Sequence, residues 1–196
     1  MEELSHLSQD FWNNRYETNT TGWDLGTVSP PIQCYFDKIE NKDLRILIPG
    51  AGNAHEADYL LQAGFNDITV IDIAPLVVKS LQEKYKHKQS IRIIQGDFFE
   101  HYGMYDIVIE QTFFCAISPS LRSQYVTKMH SLLAENGYIV GLLFNCSFEG
   151  GPPFGGNADE YIRLFKPFFN IDLMEPCRNS IKPRVGNELF LRFTKK

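Results

Sequence analysis

The chain has 196 residues, 43% of them apolar and 22% charged, and a formal net charge of −5. That length can bury the core of one domain without metal or disulfide support. The acidic balance argues against a nucleic-acid partner or an anionic membrane surface, though it leaves room for a local basic pocket.

The first ten residues, MEELSHLSQD, lack the basic and apolar regions of a signal peptide, and no apolar run approaches the length of a membrane span. Cys34, Cys115, Cys146 and Cys177 are scattered, with no CxxC and no partnered histidine spacing. They read as reduced thiols of a cytoplasmic protein with no metal site. Phe11 to Gly26, FWNNRYETNTTGWDLG, holds both tryptophans in a polar setting ahead of the first strand. Side chains of that size normally belong in a core, so the stretch needs an explanation.

Short apolar runs then alternate with helical patterns, the signature of an α/β sheet. LRILIPG is a continuous apolar run of the kind buried on both faces of a parallel sheet. Asn53 is placed to cap the following helix and Gly64 to end it. DITVIDI is the second strand, with Pro75 opening the next helix. IRIIQGDFF and YDIVIEQTFF are the third and fourth strands. Ser118-Pro119 opens a helix through SLRSQYVTKMHSLL, and Asn136-Gly137 turns into the fifth strand, YIVGLLF. Asn157 and Glu160 have the spacing of a capping box after the glycine- and proline-rich EGGPPFGGN. FNIDLMEP and NELFLRFT then give an antiparallel end to a mostly parallel sheet.

In such sheets ligands bind beyond the carboxyl ends of the strands. Gly50 and Gly52 after the first strand permit a tight turn and close approach of a ligand to the backbone. His55 stands where GxGxxG has its third glycine, and that pattern serves a pyrophosphate. A nucleoside without phosphates is therefore favoured. Asp72, 20 residues after Gly52, is suited to a ribose diol. Asp97 is suited to an exocyclic adenine amine, and Phe98 to the ring. Glu110, Gln111 and Thr112 place polar groups where the fourth strand opens into the pocket.

LIPGAGNAHEADYL, VIDIAP and GDFF, with the more specific FFCAISPSLR and FEGGPPF, resemble the thiopurine S-methyltransferase superfamily. The branch most resembled is that of the plant-type thiol and halide methyltransferases. The resemblance implies a Rossmann-like class I methyltransferase fold over residues 1–196 as a single domain. That fold is a seven-stranded, mostly parallel sheet with an antiparallel last strand and helices on both faces. It implies S-adenosyl-L-methionine as cofactor, contacted by Trp12, Tyr16, Trp23, Gly50, Asp72, Asp97, Phe98 and Gln111. Plant members carry tryptophan at the position of Tyr16, and a phenol keeps the aromatic face.

Residues 1–26 then become a lid whose rings attract the sulfonium and exclude water. The acceptor is expected to be a small soft nucleophile, a thiol before a halide, thiocyanate or hydrosulfide. Arg122 is the expected anion-orienting group, and EGGPPFGG the acceptor-side rim. Phe144, where the plant branch has tyrosine, is expected to shift preference toward larger apolar thiols. Two rivals stay open, an NAD-dependent oxidoreductase and a nucleoside-binding domain without turnover.

Overall fold

A computed structural model describes residues 7–196, so the first six residues of the expected lid lie outside the described residues. Helix α1 (Gln9–Glu17) and α2 (Pro30–Phe36) precede β1 (Arg45–Pro49). Then follow α3 (His55–Gln62), β2 (Asp67–Asp72), α4 (Pro75–Tyr85), β3 (Ile91–Gln95) and β4 (Tyr105–Gln111). The chain continues through α5 (Arg122–Leu132), β5 (Leu133–Phe144), α6 (Ala158–Phe165), β6 (Phe169–Pro176) and β7 (Glu188–Lys195).

All seven strands form one sheet in the order β3-β2-β1-β4-β5-β7-β6. The pairs among β1 to β5 are parallel, and β7 runs antiparallel to both β5 and β6, between which it lies. The order reverses at β1, where β2 lies to one side and β4 to the other, and that switch point is where an open sheet leaves a crevice.

Alternation along the buried strands builds two cores. Ile46, Ile48, Ile107 and Ile109 face α2, α3 and α4 through Phe36, Leu60 and Leu81. Leu47, Val108 and Ile139 face α5 and α6 through Tyr125, Met129 and Phe165. The continuous apolar reading of LRILIPG was correct because helices cover both faces of the sheet. Among the described residues no helix is long and apolar enough to cross a membrane, and no cluster of His, Cys, Asp or Glu could hold a metal.

Four local expectations need correction. Asn53 does not cap α3: the cap position is Ala54, left-handed at φ 57°, and the Asn53 side chain donates to Asp24 instead. The box at α6 is half made. Asn157 accepts from the Glu160 N–H at 3.0 Å, while the Glu160 carboxylate leaves for Arg122. Ser118 caps a single 3-10 turn, Pro119–Leu121, before α5 begins at Arg122. Asn136, at φ 63°, lies within β5, which already starts at Leu133. Of the cysteines Cys115 and Cys177 are buried, Cys34 is exposed, and all four are free.

One buried acid shapes the turn after β4. Glu110 is 1% exposed. Its Oε1 accepts from the Phe113 and Phe114 amides at 2.9 Å each, and Tyr125 donates its hydroxyl to Oε2. Burial pushes the Glu110 carboxyl up to about 7, against those three bonds. A folded-state value above the unfolded one stabilises the fold at low pH, and that contribution is lost as pH rises through about 7. Between pH 5.5 and 8.5 the loss is roughly 2 kcal/mol, or about 4–8 °C in thermal midpoint. Glu110→Gln removes the titration. Its midpoint should gain on the wild type by that amount across the range, and two parallel curves would refute the assignment.

Candidate active site

A cavity of about 810 Å³ opens beyond the carboxyl ends of β1 to β5. Its floor begins at the loop after β1, where Gly50 sits at φ 58° and Gly52 at φ 51°. A Cβ on Gly50 would stand 2.3 Å from the Phe113 ring, so only glycine lets the loop lie against that ring. The loop is fastened by Asp72 at the end of β2. Asp72 Oδ2 accepts from the Gly52 N–H at 3.1 Å and Oδ1 from the Ala74 N–H at 2.9 Å. Asp72 lines the cavity although it is only 7% exposed, and burial pushes its carboxyl up despite the amide bonds. Asp97 also lines the cavity, and its Oδ1 accepts from the Phe99 N–H at 2.8 Å to cap the turn after β3. Phe98 presents a ring supported edge-on by Phe113 at 5.1 Å.

The roof comes from the N-terminal stretch. Trp12, Tyr16 and Trp23 all line the cavity, with Trp23 edge-on to Trp12 at 5.6 Å and to Tyr16 at 5.8 Å. The Tyr16 hydroxyl occupies the space beside Gly52, 2.9 Å from where a Cβ would stand. Burial, then the Asp72 charge, push this phenol up, so it stays protonated. Polar bonds tie the stretch down around Trp23. Asp24 Oδ1 meets His55 Nε2 at 2.7 Å and its Oδ2 accepts from Asn53. Arg184 Nη2 donates to the Trp23 carbonyl at 2.9 Å. Burial pushes Asp24 up, but bonds from the Gly26 amide, Asn53 and His55 outweigh it and hold the carboxyl below the usual range. His55, which displaces the third glycine of the dinucleotide pattern, is thus half of a latch.

The far end of the cavity is apolar, walled by Ile117, Leu121, Phe144, Phe148, Pro152 and Pro153. Phe148 stands edge-on to Phe144 at 5.0 Å, and the Arg184 guanidinium lies 5.6 Å from the Phe144 ring. Cys115 lines the cavity as well, but burial pushes its thiol up to about 12, so it is no nucleophile at neutral pH.

Three expected site residues stand elsewhere. Arg122 is 4% exposed and off the cavity wall, because Glu160 and the Gly155 carbonyl hold its guanidinium at 2.5 and 2.7 Å. Gly52 is behind Tyr16, its amide committed to Asp72. Gln111 is also off the wall, where Thr112 and Phe113 take its place, and its buried Oε1 has no hydrogen-bond partner among the described residues. The cation that does line the far end, Arg184, was hidden in the connector SIKPRVGNE.

The two halves of the cavity differ in charge. Asp72, Asp97 and Glu100 line the first half and outnumber Arg15 of the roof helix, a balance that disfavours a diphosphate and suits a cationic nucleoside beneath aromatic rings. With the sheet order, this defines a class I S-adenosylmethionine-dependent methyltransferase. A family model described as thiopurine S-methyltransferase matches residues 7–190, and the chain belongs to that family. Similar curated proteins include a probable thiol methyltransferase 2 of Arabidopsis thaliana, 26% identical over 98% of this chain and 88% of that protein. Thiocyanate methyltransferase 1 of Brassica oleracea is 27% identical over 94% of this chain and 84% of that one. Among solved structures, the Burkholderia thailandensis 1,6-didemethyltoxoflavin-N1-methyltransferase shares the fold. Its TM-score is 0.77 at 16% identity, covering 100% of this chain and 90% of that chain. The NAD-dependent rival falls with this result.

The latch makes a local prediction. Partly exposed pairs are worth up to about 1 kcal/mol, enough to shift a local opening equilibrium about fivefold. Asp24→Ala should raise amide hydrogen exchange across residues 18–26 by about that factor and leave the sheet amides unchanged. Equal exchange in both proteins would refute the latch.

Proposed function

We propose that this methyltransferase acts on a thiol, taken as its thiolate, with thiocyanate and halides as weaker acceptors. The observation that carries this reading is the apolar wall of Ile117, Leu121, Phe144, Phe148, Pro152 and Pro153, with the Arg184 guanidinium, itself paired with Glu188, against the Phe144 ring. A soft anion with an apolar body is held there by one charge and by burial. A hydroxyl at position 144 would favour a small hydrated anion, and phenylalanine offers none. The volume points the same way, since about 810 Å³ leaves more room beside a nucleoside than a single ion fills.

S-adenosylmethionine, when bound, supplies a methyl group activated on a sulfonium. Asp72 has the buried carboxylate for the ribose hydroxyls, whose donors would satisfy the lone pairs its amide bonds leave open. Asp97 takes the adenine amine and Phe98 the ring face. Gly50 lets the backbone lie close to the ligand. Trp12, Tyr16 and Trp23 line the cavity where they would hold the sulfonium by cation–π attraction, each worth roughly 0.5–2 kcal/mol, and would exclude water as a lid. No base is required for an acceptor that arrives ionised, and alignment in a dry site supplies most of the acceleration, up to ~7–11 kcal/mol. Residues 7–196 act as one domain in this reading, with the stretch up to Gly26 as its cover.

The test is an acceptor panel of thiophenol, methanethiol, thiocyanate and iodide, followed by S-adenosylhomocysteine release. The thiols should show the highest kcat/KM. Phe144→Tyr should move the ratio toward iodide, and Asp72→Ala should weaken cofactor binding on the order of 100-fold. Higher kcat/KM for iodide or thiocyanate than for either thiol would overturn the acceptor assignment. Absence of turnover with all four would favour a nucleoside-binding domain without catalysis.

A further inference from the structure

The segment from Phe148 to Gly156 supplies Pro152 and Pro153 to the acceptor wall, yet glycines flank both prolines. A wall on such a segment stands where its anchors put it. The Phe154 N–H donates to the Cys115 carbonyl at 2.7 Å and the Gly156 N–H to the Cys146 carbonyl at 3.0 Å. A side chain at Gly155 would bring its Cβ within 2.0 Å of that Cys146 oxygen, so there is no slack at this point.

The remaining anchor is a side chain. Arg122 Nη2 donates to the Gly155 carbonyl at 2.7 Å, while Nη1 meets Glu160 Oε1 at 2.5 Å. The guanidinium lies 4.7 Å over the Phe114 ring, and Nε is left as a buried donor without a partner among the described residues. One planar fork therefore joins the start of α5, the end of the rim and the first turn of α6. Its charge is spent on Glu160 and none of it faces the cavity.

We infer that Arg122 is a positioning residue, not an anion-binding one: the Glu160–Arg122–Gly155 clamp sets where the Pro152-Pro153 wall stands and so selects acceptors by size. The inference rests on the thiol methyltransferase reading above. Bulky acceptors need the wall in place, and small ones do not.

Truncating a buried ion-paired arginine risks the fold itself, so the informative variants are Arg122→Lys and Glu160→Ala. Lysine keeps the charge but loses the fork, and Glu160 is partly exposed, so water can take its place beside the Arg122 guanidinium. S-adenosylhomocysteine release is measured with thiophenol and with methanethiol, and S-adenosylhomocysteine affinity by the fluorescence of Trp12 and Trp23. Both variants should raise KM for thiophenol and lower its kcat/KM on the order of 10–100-fold. Methanethiol turnover and cofactor affinity should change by less than about twofold.

A Glu160→Ala enzyme that keeps the wild-type thiophenol rate, while Arg122→Lys loses both thiols, would show direct contact and overturn the inference alone. Parallel loss of both thiols and of cofactor affinity in the two variants would do the same, by showing general damage. A wild type that methylates neither thiol fails the acceptor reading and takes this inference with it.

Discussion

A carboxylate buried at the bottom of a cavity must find donors, and the site is organised around how Asp72 finds them. Its two oxygens are bonded to the Gly52 and Ala74 amides, which fixes the loop after β1 and the entry to α4 with one group. Those bonds do not cancel the cost of burial, since the carboxyl stays shifted up. A ligand that brings hydroxyl donors relieves that cost, whereas one that brings phosphate charge adds to it. Asp97 and Glu100 extend the negative potential along the same half of the cavity.

The aromatic roof follows from this electrostatic floor. Helix α1 contributes no fully buried residue, and its contact with the core is the partly buried packing of Trp12 and Tyr16. The rest of the hold comes from the edge-on contact of those rings with Trp23, the Asn13 side chain accepting from the Leu76 amide at 2.9 Å, and the ties through Asp24 and Arg184. Large rings in a polar segment are intelligible on those terms. Each ring lines the cavity and the polar neighbours make the tethers, which leaves the element among the less stable parts of the fold.

Strands and cofactor half were legible because both depend on short stretches. A buried parallel strand announces itself in five to seven residues, and the groups just after it lie near the crevice, so Asp72, Asp97 and Phe98 line the cavity. The arginines were not legible for the opposite reason. Which guanidinium is free depends on partners remote in sequence: Glu160 lies 38 residues beyond Arg122, and Trp23 lies 161 residues before Arg184. A first-turn arginine after Ser118-Pro119 looks available, and the acid that consumes it looks like half of a capping box. The misread cap at Asn53 has the same origin, since nothing local reveals that Asp24 claims that side chain.

The two halves of the cavity consequently obey different rules. The cofactor half is made by consecutive strand ends whose geometry the sheet imposes. The acceptor half is assembled from the turn after β4, the end of β5, the proline rim and the connector before β7, with the rim joined to the rest by a few single backbone and side-chain bonds. Its titratable neighbours are committed: Glu110 to two amides and a tyrosine, Cys115 to burial, Glu188 to Arg184 at 3.4 Å. Among the described residues that wall therefore offers shape and the Arg184–Glu188 pair, with no uncommitted base. Proteins similar to this chain carry names that differ in acceptor, thiol in one and thiocyanate in another, at nearly equal identity. A half-site fixed by a few long-range bonds can be reset by changing a rim contact or one ring hydroxyl while the nucleoside end stays as the sheet made it.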